Sequence, residues 1–284
     1  MRFRLCLAFS ALSSLIGTTG CAPSLSTFQP AHVARKGHVQ IEAGSDISIP
    51  TSGVGRLVDA AEALVDVAEQ RELRDEEKQT LFDAGAALAI NALSPVPHVG
   101  LAYTPVDKLE VSVRYSGALR LGLRYQFLTK ARHGVDLSAG FGAARYTLAF
   151  PVSSVLGILE LEDFERWQFD IPILVGKSGD WYRLWGGPKG MFTTFGTQLV
   201  LTTPEVSGSS TSQETQLASF DGTAFYLGAQ GGVALGYKYV FVGFELSMAY
   251  LAAASEMTVL GQPVHAVDLD SLVVAPGIAL MMEF

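Results

Sequence analysis

Apolar and polar residues alternate along much of this chain with a period of two, which is the pattern of a β-strand with two unlike faces. In 118–127, leucines and aromatic residues at odd positions oppose arginine, glycine and glutamine at even positions. The alternation changes phase near Ala143–Ala144 and around Gly186–Gly190, where we predict bulges or strand ends. In all, the pattern predicts ten strands, near 38–49, 97–103, 108–116, 118–128, 134–149, 167–177, 181–201, 223–238, 239–254 and 268–284.

The length and composition of these strands favour a membrane barrel over a soluble sandwich. All but one of them have nine or more residues, whereas globular strands have about 5–6 and membrane-spanning strands need about 9–11. Their polar faces are rich in glycine, although the wet face of a soluble sheet usually carries more lysine, glutamate and threonine. We therefore predict an all-β membrane barrel of about ten antiparallel strands, with eight to twelve possible.

The predicted connections alternate between short and long, as they do in barrels with short periplasmic turns and long extracellular loops. The short ones are 105–107, 129–133, 178–180 and the join at 238–239. The others are the long segments 50–96, 150–166, 202–222 and 255–267, with Ser116-Gly117 as the one short exception. If the short connections are periplasmic, then the first and the last residue of the barrel sequence, 38 and 284, both lie on the periplasmic side.

Residues 54–93 break the strand pattern. Leu57, Ala61, Leu64 and Ala68 recur at helical spacing, and a charged stretch follows before a second apolar series. We predict an amphipathic helical hairpin inserted between strands 1 and 2, either as a loop cap, as a lumen plug or as a docking element for a partner.

The N-terminus predicts export. A short basic region precedes an apolar stretch at 5–16 that is too short to cross a bilayer, which is typical of a signal peptide over 1–20. Gly20-Cys21 resembles the processing site of bacterial lipoproteins, and that resemblance implies lipidation of Cys21 and a linker over 21–37. The resemblance, together with Ala22, also implies an outer-membrane destination.

Composition narrows the remaining classes of function. Charged residues make up 17% of the 284 residues, and the formal net charge is −8. These values argue against a disordered chain and against a nucleic-acid binder, so no nucleic-acid partner is expected. The sequence has no nucleotide-binding or zinc-protease motif, and its five histidines lack ligand spacing, so we expect no cofactor and no metal.

The last strand carries a family resemblance. It ends in alternating apolar residues and a terminal aromatic, with Leu280, Met282 and Phe284 on one face. This ending, with the alternating strands before it, resembles bacterial outer-membrane β-barrel proteins. The resemblance implies that the C-terminus is an assembly signal, that the barrel-insertion machinery is a partner, and that the outer face meets outer-membrane lipid.

Charged residues on the polar faces predict a lumen network, because buried charges need partners. Three arginines could instead attract anions in a narrow channel for small solutes, and that alternative stays open at this stage. The network residues are Glu110, Arg114, Arg120, Arg124, Asp136, Asp170 and Glu245.

A surface hydrolase is the second alternative. A His–carboxylate pair at the outer rim could activate water, and the candidate residues are His98, Asp170, His265, Asp268 and Asp270. We nevertheless expect a non-enzymatic barrel that serves as a structural or assembly subunit of an envelope complex for motility, adhesion or secretion. Its expected contact surfaces for partners are 50–96 and 202–222.

Overall fold

The computed structural model describes residues 24–51, 95–147, 159–203, 213–259, 262–264 and 270–284. The predicted signal peptide 1–20, the predicted lipidation site Cys21 and the predicted helical hairpin over 54–93 lie outside the described residues. The elements are β1 (Val39–Ile47), β2 (Ile49–Pro50), β3 (Pro95–Val106), β4 (Leu109–Tyr115), β5 (Leu119–Leu128), α1 (Lys130–His133), β6 (Asp136–Thr147), β7 (Leu159–Ser178), β8 (Tyr182–Thr203), β9 (Gln213–Tyr237), β10 (Val240–Val259), β11 (Gln262–Val264) and β12 (Ser271–Glu283).

Ten long strands close into an antiparallel barrel, which confirms the predicted strand number and the resemblance to outer-membrane barrels. From β3 to β10 each strand pairs with the next one along the chain, and β1 closes the ring between β3 and β12. Ile41 of β1 faces Leu101 on one side and Met282 on the other, while β12 also pairs along β10. The short β2 continues β1 along β12, and β11 forms a brief hairpin with the end of β10.

The outer wall of the barrel is apolar. Leucines, valines and aromatic residues point outward along every long strand, and Leu121 and Leu227 are each 60% exposed. Aromatic side chains gather at both ends, with Trp181, Tyr237 and Tyr239 at the tight turns and Tyr250 at the opposite end. An apolar band between aromatic girdles is the surface that lipid requires, so the chain is a membrane barrel. Within the described residues, we find no helix whose length and apolar character would let it cross a membrane.

Four connections are tight and lie at the end of the barrel where β1 begins and β12 ends. The β3–β4 turn holds Lys108 in the left-handed region, at φ 69°, and the β9–β10 turn does the same for Lys238, at φ 57°. α1 joins β5 to β6. Gly134 follows directly after α1 and donates its N–H to the Lys130 carbonyl. We call this end the inner end and the opposite one the outer end.

The strands differ greatly in length around the barrel. β4, β5 and β6 have 7, 10 and 12 residues, whereas β7, β8, β9 and β10 have 20, 22, 25 and 20. β6 ends where Thr147 pairs with Glu165, but β7 continues outward to Leu159. A span needs about 9–11 residues, so the outer parts of β7–β10 stand beyond the apolar band as a projecting sheet.

The projecting sheet corrects the predicted outer loops. Strand pairing already begins at Leu159 and Gln213 and ends at Val259, inside the loops predicted at 150–166, 202–222 and 255–267. Beyond the membrane both faces of a strand meet water, so apolar alternation disappears there although the backbone pairing continues.

The predicted bulges are also wrong. The register of β6 runs unshifted through Ala143–Ala144, and that of β8 runs unshifted through Gly186–Gly190. Near these places the apolar side chains of Tyr146 and Trp185 occupy inward positions, which are otherwise polar. The apolar–polar pattern of the sequence therefore changes although the backbone register does not. The register shifts lie instead at Tyr103/Val106, Gln126/Leu128, Glu162/Glu165 and Leu199/Val200.

Candidate functional site in the barrel lumen

Residues Ser24–Ala34 run through the interior of the barrel, and we call them the lumen segment. They form no helix or strand, yet the side chains of Leu25, Phe28 and Ala31 are each only 1% exposed. The segment joins β1 at the inner end, where Gly37, at φ 84°, donates its N–H to the Thr104 carbonyl over 2.8 Å. The sequence predicts only a linker over 21–37, without a place in the fold. The structure shows that Ser24–Ala34 of this range lie inside the lumen.

The half of the lumen segment nearest the inner end is held by polar side chains of the wall. Gln126 Oε1 accepts a 2.9 Å hydrogen bond from the Val33 N–H. Arg124 donates to the Pro30 carbonyl, and His32 Nε2 lies 3.2 Å from a carboxylate oxygen of Glu283. The contacts of Gln126 and Arg124 satisfy backbone groups of the buried part of the segment, and the His32–Glu283 contact joins two partly exposed side chains at the inner mouth.

Glu245 of β10 is the main acceptor in the middle of the segment. Its two carboxylate oxygens accept the N–H of Thr27 over 2.6 Å and the N–H of Phe28 over 2.9 Å. The indole Nε1 of Trp185 donates to the same carboxylate over 2.9 Å. Three donors on one buried carboxylate are the arrangement that stabilises its charge in a low-dielectric interior.

The N-terminal half of the segment is held in the same way near the outer end. Asp46 accepts hydrogen bonds from Ser24 Oγ over 3.1 Å and from the Ser26 N–H over 3.2 Å. Arg114 donates to the Ser26 carbonyl over 2.5 Å, and Lys189 donates to the Leu25 carbonyl. Side chains from β1, β4 and β8 therefore converge on three consecutive residues of the lumen segment.

Apolar packing accompanies these hydrogen bonds. Leu25 packs in a buried cluster with Met191, Phe195, Tyr226, Leu251 and Val273. Phe28 packs in a second cluster with Leu174, Trp185, Phe241 and Met281. A Cβ at Gly277 would come within 2.7 Å of the Phe28 ring, so glycine makes room for that ring in the wall.

The arginines predicted for the lumen network each meet an acid of the wall. Arg124 lies 2.6 Å from Glu110, which is its direct register partner on β4, and Arg114 lies 3.2 Å from Glu42. Arg120 pairs with Asp170. These ion pairs run along the wall, and the centre of the lumen is occupied by the lumen segment.

The other two network acids accept from N–H and hydroxyl groups. Glu245 accepts from the N–H groups of Thr27 and Phe28 in the lumen segment. Asp136 accepts hydrogen bonds from Gln126 Nε2 over 2.9 Å, from the Lys130 N–H over 2.7 Å and from Ser178 Oγ over 3.1 Å. Asp136 thereby fixes the α1 connection at the inner end.

The candidates for a rim hydrolase are not brought together. His98 is buried in the lumen, where Nδ1 lies 3.7 Å from Asp46 and the ring lies 5.2 Å from Phe28. Asp170 is buried against Arg120, and Asp270 accepts a 2.7 Å hydrogen bond from Tyr250. His265 and Asp268 lie outside the described residues. His98 lies near the outer end of β3, but its side chain and that of Asp170 are buried in the packed lumen, so neither is exposed at the rim as the hydrolase alternative expects.

The C-terminal residues close the barrel. Leu280 and Phe284 are 40% and 54% exposed on the outer wall, and Met282, on the same face, pairs with Ile41. The Phe284 ring stacks on Tyr239 at 6.1 Å, on the inner aromatic girdle. These side chains are thus available to lipid or to another protein.

Two small cavities adjoin the lumen segment within the part of the chain that the structure describes. A cavity next to Gln29, Glu42 and Arg114 has a volume of about 30 Å³, and one next to Leu25 has about 10 Å³. A water needs about 10–15 Å³, so each holds at most a few waters. A wider opening of about 630 Å³ lies at the inner mouth, lined by basic residues that include Arg35, Lys130 and Lys238.

Apolar residues on the polar faces were the available signal for the lumen segment. Trp185, Met191 and Tyr226 interrupt the polar face of their strands, and all three point into the lumen. A large apolar side chain in a water-filled lumen would be exposed at a cost, so such residues indicate a buried partner. Among the described residues we find no group of three or more His, Cys, Asp or Glu that could hold a metal ion.

Comparisons with known proteins return membrane barrels at low similarity. No family model matches the chain, and no curated protein matches it. Among solved structures, the chain is similar to Ail, the attachment invasion locus protein of Yersinia pestis, at 9% identity and a TM-score of 0.28, covering 88% of this chain and 99% of Ail. It is similar to Neisserial surface protein A at 7% identity and a TM-score of 0.31, covering 87% of this chain and 96% of that protein. It is also similar to the monoaromatic hydrocarbon channel CymD at 8% identity and a TM-score of 0.30, covering 96% of each chain. The barrel architecture follows from the strand pairing and the apolar wall of this chain itself.

Proposed function

We propose that this chain is a non-enzymatic, non-conducting outer-membrane barrel lipoprotein that serves as a structural or assembly subunit of an envelope complex. Lipidation would occur at Cys21, and insertion would use the C-terminal strand with Leu280, Met282 and Phe284. Motility, adhesion and secretion are the processes in which such a subunit would act. The barrel would stand with its inner end toward the periplasm, because short turns lie on that side in outer-membrane barrels.

The observation that supports this proposal is the occupied lumen. A solute channel needs a continuous wet path, whereas here Arg114, Arg124 and Lys189 are engaged by backbone carbonyls of the lumen segment. These side chains cannot serve a passing anion without giving up buried hydrogen bonds that cost about 1–3 kcal/mol each to leave unsatisfied. A filled barrel leaves its outer surfaces as the places where function can reside.

The projecting sheet is the surface that we assign to partner binding. The β8–β9 hairpin stays paired out to Thr203 and Gln213, well beyond β6, and includes much of the predicted contact range 202–222. The other predicted range, 50–96, lies almost wholly outside the described residues. A paired, twisted sheet offers a fixed surface, which lowers the entropy cost of binding compared with a mobile loop.

Conductance in planar bilayers tests the lumen part of the proposal. The refolded wild-type barrel should give no steady conductance, because the lumen segment blocks the path. The double variant Leu25→Ala/Phe28→Ala, which loosens the segment while leaving the wall unchanged, should give a measurable leak. A steady, ion-selective conductance of the wild type would instead support the channel alternative.

A shortened hairpin tests the surface part. Val200 and Gln216 are register partners, so residues 201–215 can be replaced by a two-residue Asn-Gly turn without shifting the remaining register. We expect a stoichiometric partner, cross-linked on cells and purified in detergent with the full-length barrel, to be lost from this variant. A heat-dependent gel shift checks that both barrels are folded. Retention of the partner by the shortened barrel would place the contact elsewhere, and finding only the insertion machinery would count against the proposal.

A further inference from the structure

The lumen segment has a direction, and its contacts follow one another along the barrel axis. Residues of the segment meet the wall at successively greater distance from the inner end as their own numbers fall. Val33 contacts Gln126, close to the inner end of β5 at Leu128. Phe28 contacts Glu245, further along β10, which begins at Val240. Ser24 contacts Asp46, next to the outer end of β1 at Ile47.

The depth of Ser24 can be estimated from β1. From Val39 at the inner end to Asp46, the strand rises by about 18 Å along the barrel axis, taking about 3.3 Å per residue and a tilt of about 40°. The apolar band of such barrels is about 25 Å tall. Ser24 therefore lies in the outer part of the band, far above the turns where the segment entered.

We infer that this barrel carries its own N-terminus through the lumen and releases it at the outer face of the membrane. The inference rests on the orientation given under the proposed function, with the inner end toward the periplasm. Ser24 lies three positions after Cys21, and such a stretch spans at most about 11 Å, which is too short to return about 18 Å to the inner mouth. A second passage back would also have to fit beside the lumen segment, where the two cavities lined by described residues have about 30 and 10 Å³.

The inference changes where a lipid on Cys21 would be anchored. A periplasmic leaflet anchor and the lumen segment are mutually exclusive, because the reach of the chain does not allow both. The contacts of Ser24, Leu25 and Ser26 with Asp46, Arg114 and Lys189 fix the segment at its outer end. An anchor on Cys21 therefore belongs to the outer leaflet, and the mature N-terminus is displayed at the cell surface.

Thiol labelling on intact cells with a membrane-impermeant maleimide tests this topology in the full-length chain. Pro23→Cys introduces a thiol one position before the lumen segment and leaves Cys21 in place. Lys36→Cys introduces one two positions after the segment, where the chain is exposed at the inner end. We expect Pro23→Cys to be labelled equally before and after the outer membrane is permeabilised. Lys36→Cys should be labelled only after permeabilisation. The wild-type chain gives the background from Cys21 itself.

Two further thiols test the orientation separately. Thr51→Cys is exposed beyond β2 near the outer end, and Asp107→Cys is exposed in the β3–β4 turn at the inner end. If Thr51→Cys is labelled on intact cells and Asp107→Cys is not, the orientation holds. Labelling of Pro23→Cys only after permeabilisation, or only after denaturation, then overturns the inference alone. If Thr51→Cys and Asp107→Cys exchange their behaviour, the proposed orientation is wrong and the inference fails with it. If both require permeabilisation, the proposed outer-membrane placement fails as well.

Discussion

The outward and inward faces of β5 contact different surroundings and differ in how specific their side chains must be. The outward side chains are leucines and aromatic residues, all more than 40% exposed on the wall. The inward side chains are Arg120, Gly122, Arg124 and Gln126, and each of the three polar ones contacts a named partner. The outer face needs only to be apolar, whereas the inner face needs particular atoms at particular places.

This contrast follows from what each face touches. Lipid is a disordered, uniformly apolar solvent, so one leucine can replace another on the wall at small cost. The lumen holds the backbone of residues 24–34, whose N–H and carbonyl groups must each find a partner when water is excluded. Substitutions on the inner face should therefore be costly even when they are conservative in size, while those on the outer face should matter mainly when they introduce charge.

The largest effect is expected for Arg124→Met on the inner face. It leaves Glu110, which is 1% exposed, without its cation and removes the donor to the Pro30 carbonyl. Breaking one side of a buried ion pair costs about 3–5 kcal/mol, so the free energy of unfolding in lipid vesicles should fall by about that amount. Urea titration followed by tryptophan fluorescence measures the change.

The double variant Arg124→Met/Glu110→Leu is the control for that prediction. Removing both charges should recover much of the loss, because no uncompensated buried carboxylate remains. A double variant as unstable as the single one would show that the donor to the lumen segment, and not the ion pair, dominates at this site.

A smaller effect is expected for Leu123→Lys on the outer face. Leu123 is 50% exposed in the middle of β5, so the ammonium would lie in the apolar band. A lysine at the midplane costs about 2–4 kcal/mol, and near the interface only about 0–1 kcal/mol. Leu119→Lys, at the outer end of the same strand, is the matched control in vesicle refolding. Equal losses at both positions would contradict the membrane placement of this wall.

The outer face was predictable because lipid imposes a rule that each strand must obey by itself. A period of two along a long strand indicates two unlike faces, and glycine on the polar face favours a crowded interior. Leu121 and Leu227 needed no information from elsewhere in the chain to be placed outward. Strand number and closure followed from the same local pattern, because each strand had only to find its neighbour.

The lumen was not predictable in the same way, because its contacts join distant parts of the sequence. Thr27 and Glu245 are 218 residues apart, and neither residue type carries a signal for the other. The lumen segment has no periodicity, since its order comes from the wall around it. Met191 and Tyr226, which are apolar residues on a polar face, were the indirect sign that something lies against them.

The smallest effect is expected for Arg145→Ala. This substitution tests the outer rim, where the outward face of the wall meets water instead of lipid. Arg145 points outward near the outer girdle, lies 2.9 Å from Glu165 and sits 5.5 Å from the Trp167 ring centroid. Both partners of this ion pair are about half exposed, at 53% and 46%, so water and salt screen it. The free energy of unfolding in vesicles should therefore fall only slightly, and most of that loss should vanish in 1 M salt. Glu165→Gln should behave alike, because it removes the same pair from the other side. A loss as large as that of Arg124→Met would mean that the membrane, and not water, surrounds this rim, and the outer boundary of the apolar band would have to be moved outward.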